Sequence, residues 1–345
     1  MNKKETIFVG VSGGVDSSVS LAILKEQGFN VVGCFIKTWQ PDFIECTWKE
    51  ERRDAMRICA SLDVPFITID AEEEYKNAVG MYMVNEYKAG RTPNPDVMCN
   101  KEVKFGVFLK KALELGAEFV ATGHYAREKD GKLLKGVDDS KDQSYFLWTL
   151  TNEQLKKVKF PIGHLQKSEV RKIAEKYNLL TAEKKDSQGV CFLGPIDMKD
   201  FLGHYIEVKV GDVLNTKGEK IGHHDGALFY TLGERHGFTI TEKGTEDKRL
   251  YVVGRDLEKN TITVSENINQ TKESKNKIKI QSINWIKKPE EGKTYEARIR
   301  YQQKLEKCKI KGEFVVFENE QSLATAGQSV VVYDGEECLG GGIIV

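Results

Sequence analysis

"TIFVGVSGGVDSSVSLAILKEQG", residues 6–28, decides the fold. Thr6–Val11 reads as a buried strand, and Ser17–Gln27 as a helix stopped by Gly28. Gly13 and Gly14 make the turn between them. Strand, glycine loop and helix N-terminus in that order form an anion site, because the first backbone N–H groups of a helix lack intrahelical partners. The loop departs from a Walker loop, G-x-x-x-x-G-K-[ST], at its lysine: Gly14 is followed by Val15, Asp16, Ser17 and Ser18. Ser12, Ser17 and Ser18 add hydroxyl donors. Asp16 would repel a bare phosphate but suits one that carries Mg²⁺. A plain strand–helix turn with Asp or Ser as its cap reads the same way.

Outward from this unit, apolar runs alternate with helical patterns. Strands are expected at 30–36, 65–70 and 119–125. Helices are expected at 49–62, around Tyr75–Met83, around Phe105–Ala112, and at 151–157 and 168–177. This alternation predicts βαβ units around a parallel sheet. Near residue 205 the texture changes to short strands split by Gly, Asn and Asp: "TITV" (261–264), "KIKIQSI" (277–283), "YEARIRY" (295–301), "EFVVF" (313–317) and "SVVVY" (329–333). These predict small β domains or a barrel. A lysine-rich stretch, 267–279, reads as a linker. The expected division is a catalytic domain over 1–204, a small β-rich domain over 205–268 and a C-terminal β domain over 269–345.

The 345 residues carry 52 Lys+Arg and 52 Asp+Glu, so the net charge is zero and any nucleic-acid surface must be a local one. Composition is that of a globular protein, and no apolar run is long enough to span a membrane. "MNKKETIFVGV" leads straight into a strand, without a signal peptide or transit segment. Seven cysteines, an odd number with no C-x-x-C, point to a reducing compartment and away from a four-thiolate zinc site. A cytoplasmic location is expected.

Two further segments stand out. In "RTPNPDVMCN" (91–100), Pro93 and Pro95 stiffen a loop that presents Asp96 and Cys99 just before a helix. A thiol near a helix N-terminus has a lowered pKa and is more nucleophilic, although Asp96 or Asn100 as a cap and Cys99 as core explain the pattern equally. In "KKDSQGVCFLG" (184–194), Lys184 and Lys185 would favour a thiolate at Cys191 if they lie near it; a buried cysteine in a short strand is the plainer reading. Cys34 and Cys59 fall on apolar faces and read as core. Cys46, Cys308 and Cys338 have no distinguishing context.

The motif S-G-G-x-D-S resembles the PP-loop of the ATP pyrophosphatase superfamily, in which ATP is cleaved to AMP and pyrophosphate. With "AGRTPNPDVMCNKEVKFG", "ATGHYAR", "KDQSYFL", "EVRKIA", "KKDSQGVCFLG", "YTLGERHG", "RIRYQ" and "CLGGGII", the chain resembles the tRNA-specific 2-thiouridylases, the MnmA family, essentially end to end. The resemblance implies an α/β N-terminal PP-loop domain (HUP-like, a parallel sheet with helices on both faces), a β-rich central tRNA-binding domain and a C-terminal β-barrel.

It also implies the chemistry. ATP with Mg²⁺ would lie across Gly10, Val11, Ser12, Gly13, Gly14, Val15, Asp16 and Ser17, with adenine near Ile36 and Gly123. The C2 oxygen of the wobble uridine (position 34 of the tRNA) would attack the α-phosphate. Cys191 would carry a persulfide from a sulfur-relay protein or a cysteine desulfurase, Cys99 would resolve it as sulfide or disulfide, and Asp96 would act as acid/base. An iron–sulfur cluster on the two cysteines is the alternative.

Asn94, Pro95, Asp96, His124, Lys141, Asp142, Gln143, Arg300, Tyr301 and Gln328 match tRNA-contacting positions, and the target base would flip out of its stack. The chain departs from the family at Glu234, usually Gln, and Ala326, usually Pro. A PP-loop enzyme acting on a small molecule, or a non-catalytic RNA-binding scaffold, are the rivals.

Overall fold

The computed structural model describes residues 4–44, 47–185, 189, 191–194, 197–241, 249–268 and 275–345. Cys46, Asp186–Gln188, Val190 and residues 269–274 of the lysine-rich stretch lie outside the described residues; 275–279, expected as linker, instead open a strand of the C-terminal unit.

Strand β1 (Thr6–Gly10) sits in the middle of a five-stranded parallel sheet. β2 (Asn30–Lys37) and β3 (Phe66–Asp70) lie on one side of it; β4 (Phe119–Ala121) and the short strand Val158–Lys159 lie on the other. Ile7 and Val9 are fully buried because helices cover both faces, which is why β1 reads as an unbroken apolar run. Strand order reverses between β1 and β4, and the crevice beyond their carboxyl ends is where ligands bind in such sheets.

The run expected around Phe105–Ala112 starts earlier and is wound differently. It comprises Pro95–Met98, a π-helical stretch Cys99–Phe108, and Leu109–Glu114. Phe105, Phe108, Leu109 and Ala112 still face the core, so apolar spacing gave no sign of the i→i+5 winding. The fourth strand is also shorter than expected: it stops at Ala121, leaving Thr122, Gly123 and His124 as loop.

The middle unit is a five-stranded sheet in which Gly211–Leu214 pairs in parallel with Thr261–Ser265 and antiparallel with Lys220–His224. Its core includes Met83, Val84 and Tyr87 from the first domain, together with Phe201, Tyr230 and Ile262, so the two share one apolar interior. The C-terminal unit has six antiparallel strands from Lys275–Trp285 to Glu337–Ile344, closed into a barrel by Ile280 opposite Ile344.

The barrel does not end at its own domain. The hairpin Ala126–Lys129 and Lys132–Lys135 extends the barrel sheet, with Leu133 opposite Cys338. Beneath this junction, Arg298 forms a buried ion pair with Asp142 (2.7 Å), and Arg298 and Ser144 both bond Tyr333. Removing one partner of such a buried pair costs about 3–5 kcal/mol, so this contact fixes the barrel against the catalytic sheet.

Candidate active site

The nucleotide half of the site is made by the chain leaving β1. Gly13 has φ +77°, a left-handed conformation in which a Cβ would stand 3.1 Å from the Glu51 carbonyl oxygen. The following helix, α1 (Val15–Glu26), begins at Gly14 with no side-chain cap, so its first N–H groups face the crevice unclaimed by a cap. From the loop after the neighbouring β4, Gly123 packs against the same turn: a Cβ there would lie 2.7 Å from the Asp16 carbonyl carbon and the Ser17 nitrogen.

The serines divide. Ser12 and Ser17 face each other at 3.3 Å and line the cavity. Ser18, expected as a third donor, is fully buried and bonds the Gly14 carbonyl at 2.7 Å, so it stabilises the turn instead.

A lysine from elsewhere in the chain reaches the loop. Lys167 Nζ lies 2.8 and 2.9 Å from the two Asp16 carboxylate oxygens, and the Tyr125 hydroxyl donates to one of them at 2.7 Å. Asp16 is thus neutralised, and it fits a Mg²⁺ site only if Lys167 moves toward phosphate. Lys184, expected beside the thiol, instead bonds the Gly13 carbonyl (3.0 Å) and Asp54 (3.1 Å). It braces the glycine turn.

One cavity of about 280 Å³ joins this half to the second. Gly10, Ser12, Asp16, Ile36 and Gly123 line one end; Lys104, His124 and Cys191 line the other. Cys99 and Cys191, far apart in sequence, are brought close enough for their thiols to interact. Cys99 is fully buried and Cys191 partly exposed. The Cys191 backbone is pinned: its N–H donates to Asp96 Oδ1 (3.1 Å) and its carbonyl accepts from the Tyr75 hydroxyl (2.6 Å).

Electrostatics separate the two thiols. Burial, with the neighbouring Cys191 adding to it, pushes Cys99 well above the ordinary thiol range. Cys191 is lowered to about 7, first by the hydrogen bond from Cys99 and also by the Lys104 ammonium, against the opposing effect of burial. Burial raises the Asp96 carboxyl, more than the Cys191 N–H and Lys104 lower it. Lys104 and Tyr75 were not anticipated: the first lies five residues beyond Cys99, off its face in an ordinary α-helix, and the second reads as part of an apolar helix face.

Among the described residues, no three His, Cys, Asp or Glu side chains converge as a metal would require. Among the described residues the thiol pair supplies two of the ligands an iron–sulfur cluster takes.

The positions expected to touch RNA have diverse surroundings. Asn94 caps the short helix by accepting from the Val97 N–H, and Pro95 opens that helix. His124 is buried in the cavity wall, bonded to Thr122 (2.7 Å) between Phe105 and Phe160, and burial keeps it neutral. Gln143 accepts from the Tyr125 N–H and reaches the cavity. Lys141 is half-buried at the turn after Asp138, and Tyr301 packs on Phe146 at 4.5 Å.

Three of these side chains make contacts within the protein: Asp142 is buried, and Arg300 and Gln328 are half-buried. Asp142 is occupied by Arg298, Ser144 and the Gly136 N–H. Arg300 donates to the Leu232 carbonyl at 3.0 Å, tying the barrel to the middle unit. Gln328 donates to the carbonyls of Thr92 (2.9 Å) and Pro93 (3.1 Å), and the Ala326 carbonyl accepts from the Thr92 N–H. The barrel thereby holds the loop that carries Asp96 and Cys99. Glu234 accepts from the Thr231 N–H within its own turn.

Fold and site together define a HUP-type nucleotide-binding α/β domain with two β domains fastened to it and a thiol pair at the end of its crevice. Family models agree: a tRNA methyl transferase HUP domain matches residues 5–195, a tRNA methyl transferase PRC-barrel domain 199–266 and an aminomethyltransferase beta-barrel domain 275–344. The tRNA-specific 2-thiouridylase MnmA of Bacillus subtilis (strain 168) is 46% identical over 354 residues, covering 98% of this chain and 94% of that protein. That of Streptococcus thermophilus (strain ATCC BAA-491 / LMD-9) is 45% identical over 357 residues, covering 99% and 96%. A 4-thiouridine synthetase solved with RNA and ATP is 19% identical over 56% of this chain and 46% of its own, with a TM-score of 0.38, too small a likeness to carry an argument. The chain belongs to the tRNA-specific 2-thiouridylase family.

Proposed function

We propose that this chain is an ATP-dependent tRNA uridine 2-sulfurtransferase. It adenylates the C2 oxygen of the wobble uridine and replaces that oxygen with sulfur from a persulfide on Cys191, releasing AMP and pyrophosphate. The observation that supports it most is the thiol pair, Cys99 against Cys191, at one end of a cavity whose other end is an uncapped glycine loop.

The uridine oxygen is a poor leaving group, and adenylation makes it a good one. ATP lies with its phosphates on the Ser12–Ser17 turn and its base toward Ile36 and Gly123. Mg²⁺ accompanying the phosphates would be held at Asp16 and would supply positive charge to the departing pyrophosphate. Lys167, released by Asp16, supplies the charge that a Walker lysine would. Asp96, raised by burial, moves the proton at the N3–C2 edge of the base.

Cys191 receives sulfur from a protein persulfide donor. Its terminal sulfur attacks C2, the C2–O bond breaks, and AMP leaves. Cys99 then attacks the Cys191 sulfur, releasing the thiocarbonyl and forming a Cys99–Cys191 disulfide, which a dithiol reductant reopens. Burial keeps Cys99 protonated beside an anionic Cys191 sulfur, and it becomes reactive once that sulfur is bonded to the transferred sulfur on C2.

Asn94, Pro95, Lys141, Gln143 and Tyr301 contact the anticodon loop directly in this reading, and His124 meets only a base inserted into the cavity. Asp142, Arg300 and Gln328 act by holding those surfaces in place. No described helix is long and apolar enough to cross a membrane, and a tRNA substrate places the activity in the cytoplasm.

Unmodified tRNA incubated with ATP and a persulfide source should yield wobble 2-thiouridine with equimolar AMP and pyrophosphate. Formation of ADP, or pyrophosphate release that needs an amino acid and no tRNA, would overturn the reading.

A further inference from the structure

Cys191 is the more exposed of two adjacent thiols and the one with the lowered pKa; burial alone predicts the opposite effect on any thiol in this cavity. Its neighbours account for the difference. Cys99 and Lys104 belong to the π-helical stretch, where an i→i+5 repeat returns residue 104 to nearly the face occupied by residue 99. In α-helical winding the two would point well apart. From that face, Lys104 shares the cavity wall with Cys191, its charge favours the Cys191 thiolate, and its Nζ lies 5.7 Å from the centre of the Phe192 ring.

The backbone opposite is held to match. Phe192 has φ +67°, strained for a bulky residue, and its carbonyl accepts from Gln40 at 3.3 Å. With Tyr75 and Asp96 on the Cys191 carbonyl and N–H, this pinned turn presents both the sulfur and an aromatic face to one ammonium.

We propose that Lys104 is a catalytic residue: its ammonium donates to the Cys191 sulfur and holds it as the thiolate that accepts the incoming sulfur atom. This inference rests on the sulfurtransferase reading above. In the loading step the Cys191 thiolate attacks the outer sulfur of the donor persulfide. A sulfur–sulfur bond forms at Cys191, the donor's own breaks, and the donor leaves as a thiolate that takes a proton from solvent. No net oxidation occurs. Lys104 remains protonated: burial opposes its charge, but Cys191, Cys99 and Asp96 together favour it more. The other titratable groups here are the Asp16 and Glu51 carboxyls in the same cavity, Tyr75, protonated, and His124, neutral, so among the described residues lining the cavity Lys104 is the cation.

The test uses the full chain alone. Pulsed iodoacetamide alkylation, read by peptide mapping across the pH range in which thiols titrate, should label Cys191 with a midpoint near 7 and leave Cys99 protected. Lys104→Met should move the Cys191 midpoint upward and slow its labelling at neutral pH at least about tenfold, while Lys104→Arg should keep most of the wild-type profile. Coincident wild-type and Lys104→Met curves would overturn the proposal. So would a wild-type Cys191 that titrates as an ordinary thiol, a result that needs no variant to fold. Because neither ATP, tRNA nor donor is present, a normal alkylation result with absent thiouridine would defeat the sulfurtransferase reading and leave Lys104 its effect on the sulfur; unchanged alkylation with normal thiouridine would do the reverse.

Discussion

The two ends of the cavity are built in different ways. The nucleotide end is framed by one continuous stretch and largely by its backbone, a left-handed Gly13 and the unclaimed N–H groups of α1, with Gly123 and Lys167 brought to it from elsewhere in the chain. The thiol end is assembled from separate segments carrying Tyr75, the 96–104 run and Cys191, and its working parts are side chains. It also depends on the barrel, because Gln328 and Ala326 hold the loop that leads into Asp96 and Cys99. A backbone site survives many local substitutions; a side-chain site loses its function with one atom.

That contrast orders the expected effects. Cys191→Ser should abolish 2-thiouridine, measured by mass analysis of wobble uridine after complementation, while ATP binding persists; normal thiouridine in that strain would break the contrast at its strongest point. Asp96→Asn should slow thiolation by about 10²–10⁴-fold, the usual worth of a positioned acid/base, seen in single-turnover rates. Lys167→Met removes one charge-assisted contact and should weaken use of ATP by about 10- to 100-fold, read as KM for ATP in pyrophosphate release. Unaltered kinetics would mean the loop manages its phosphates with backbone alone. Ser18→Ala should leave ATP kinetics unchanged and lower stability by only about 1 kcal/mol in urea unfolding, since its hydroxyl bonds the turn and not the cavity.

How much of this was legible follows the same division. The glycine loop could be read from residues 6–28 because strand, turn and helix start are contiguous and each leaves a local mark. The thiol pair could be named only through the resemblance of whole motifs, since nothing near Cys99 points to Cys191. Lys104 was hidden by its spacing, which has meaning only once the helix is known to be π-wound. Lys184 misled for a related reason: two lysines before a cysteine suggest a thiolate partner, but the chain turns Lys184 onto Gly13. Asp142, Arg300 and Gln328 lie in stretches that match RNA contacts, and only the assembled domains reveal that their side chains join one domain to another. Partners distant in the chain leave no periodic trace.

The central claim is that two thiols remote in sequence act on one sulfur above an adenylating site. A single turnover of persulfide-loaded enzyme with unmodified tRNA and ATP, run without reductant and followed by non-reducing peptide mapping, tests it most directly. The account predicts one Cys99–Cys191 disulfide for each 2-thiouridine formed. Thiouridine accompanied by two reduced cysteines would contradict it.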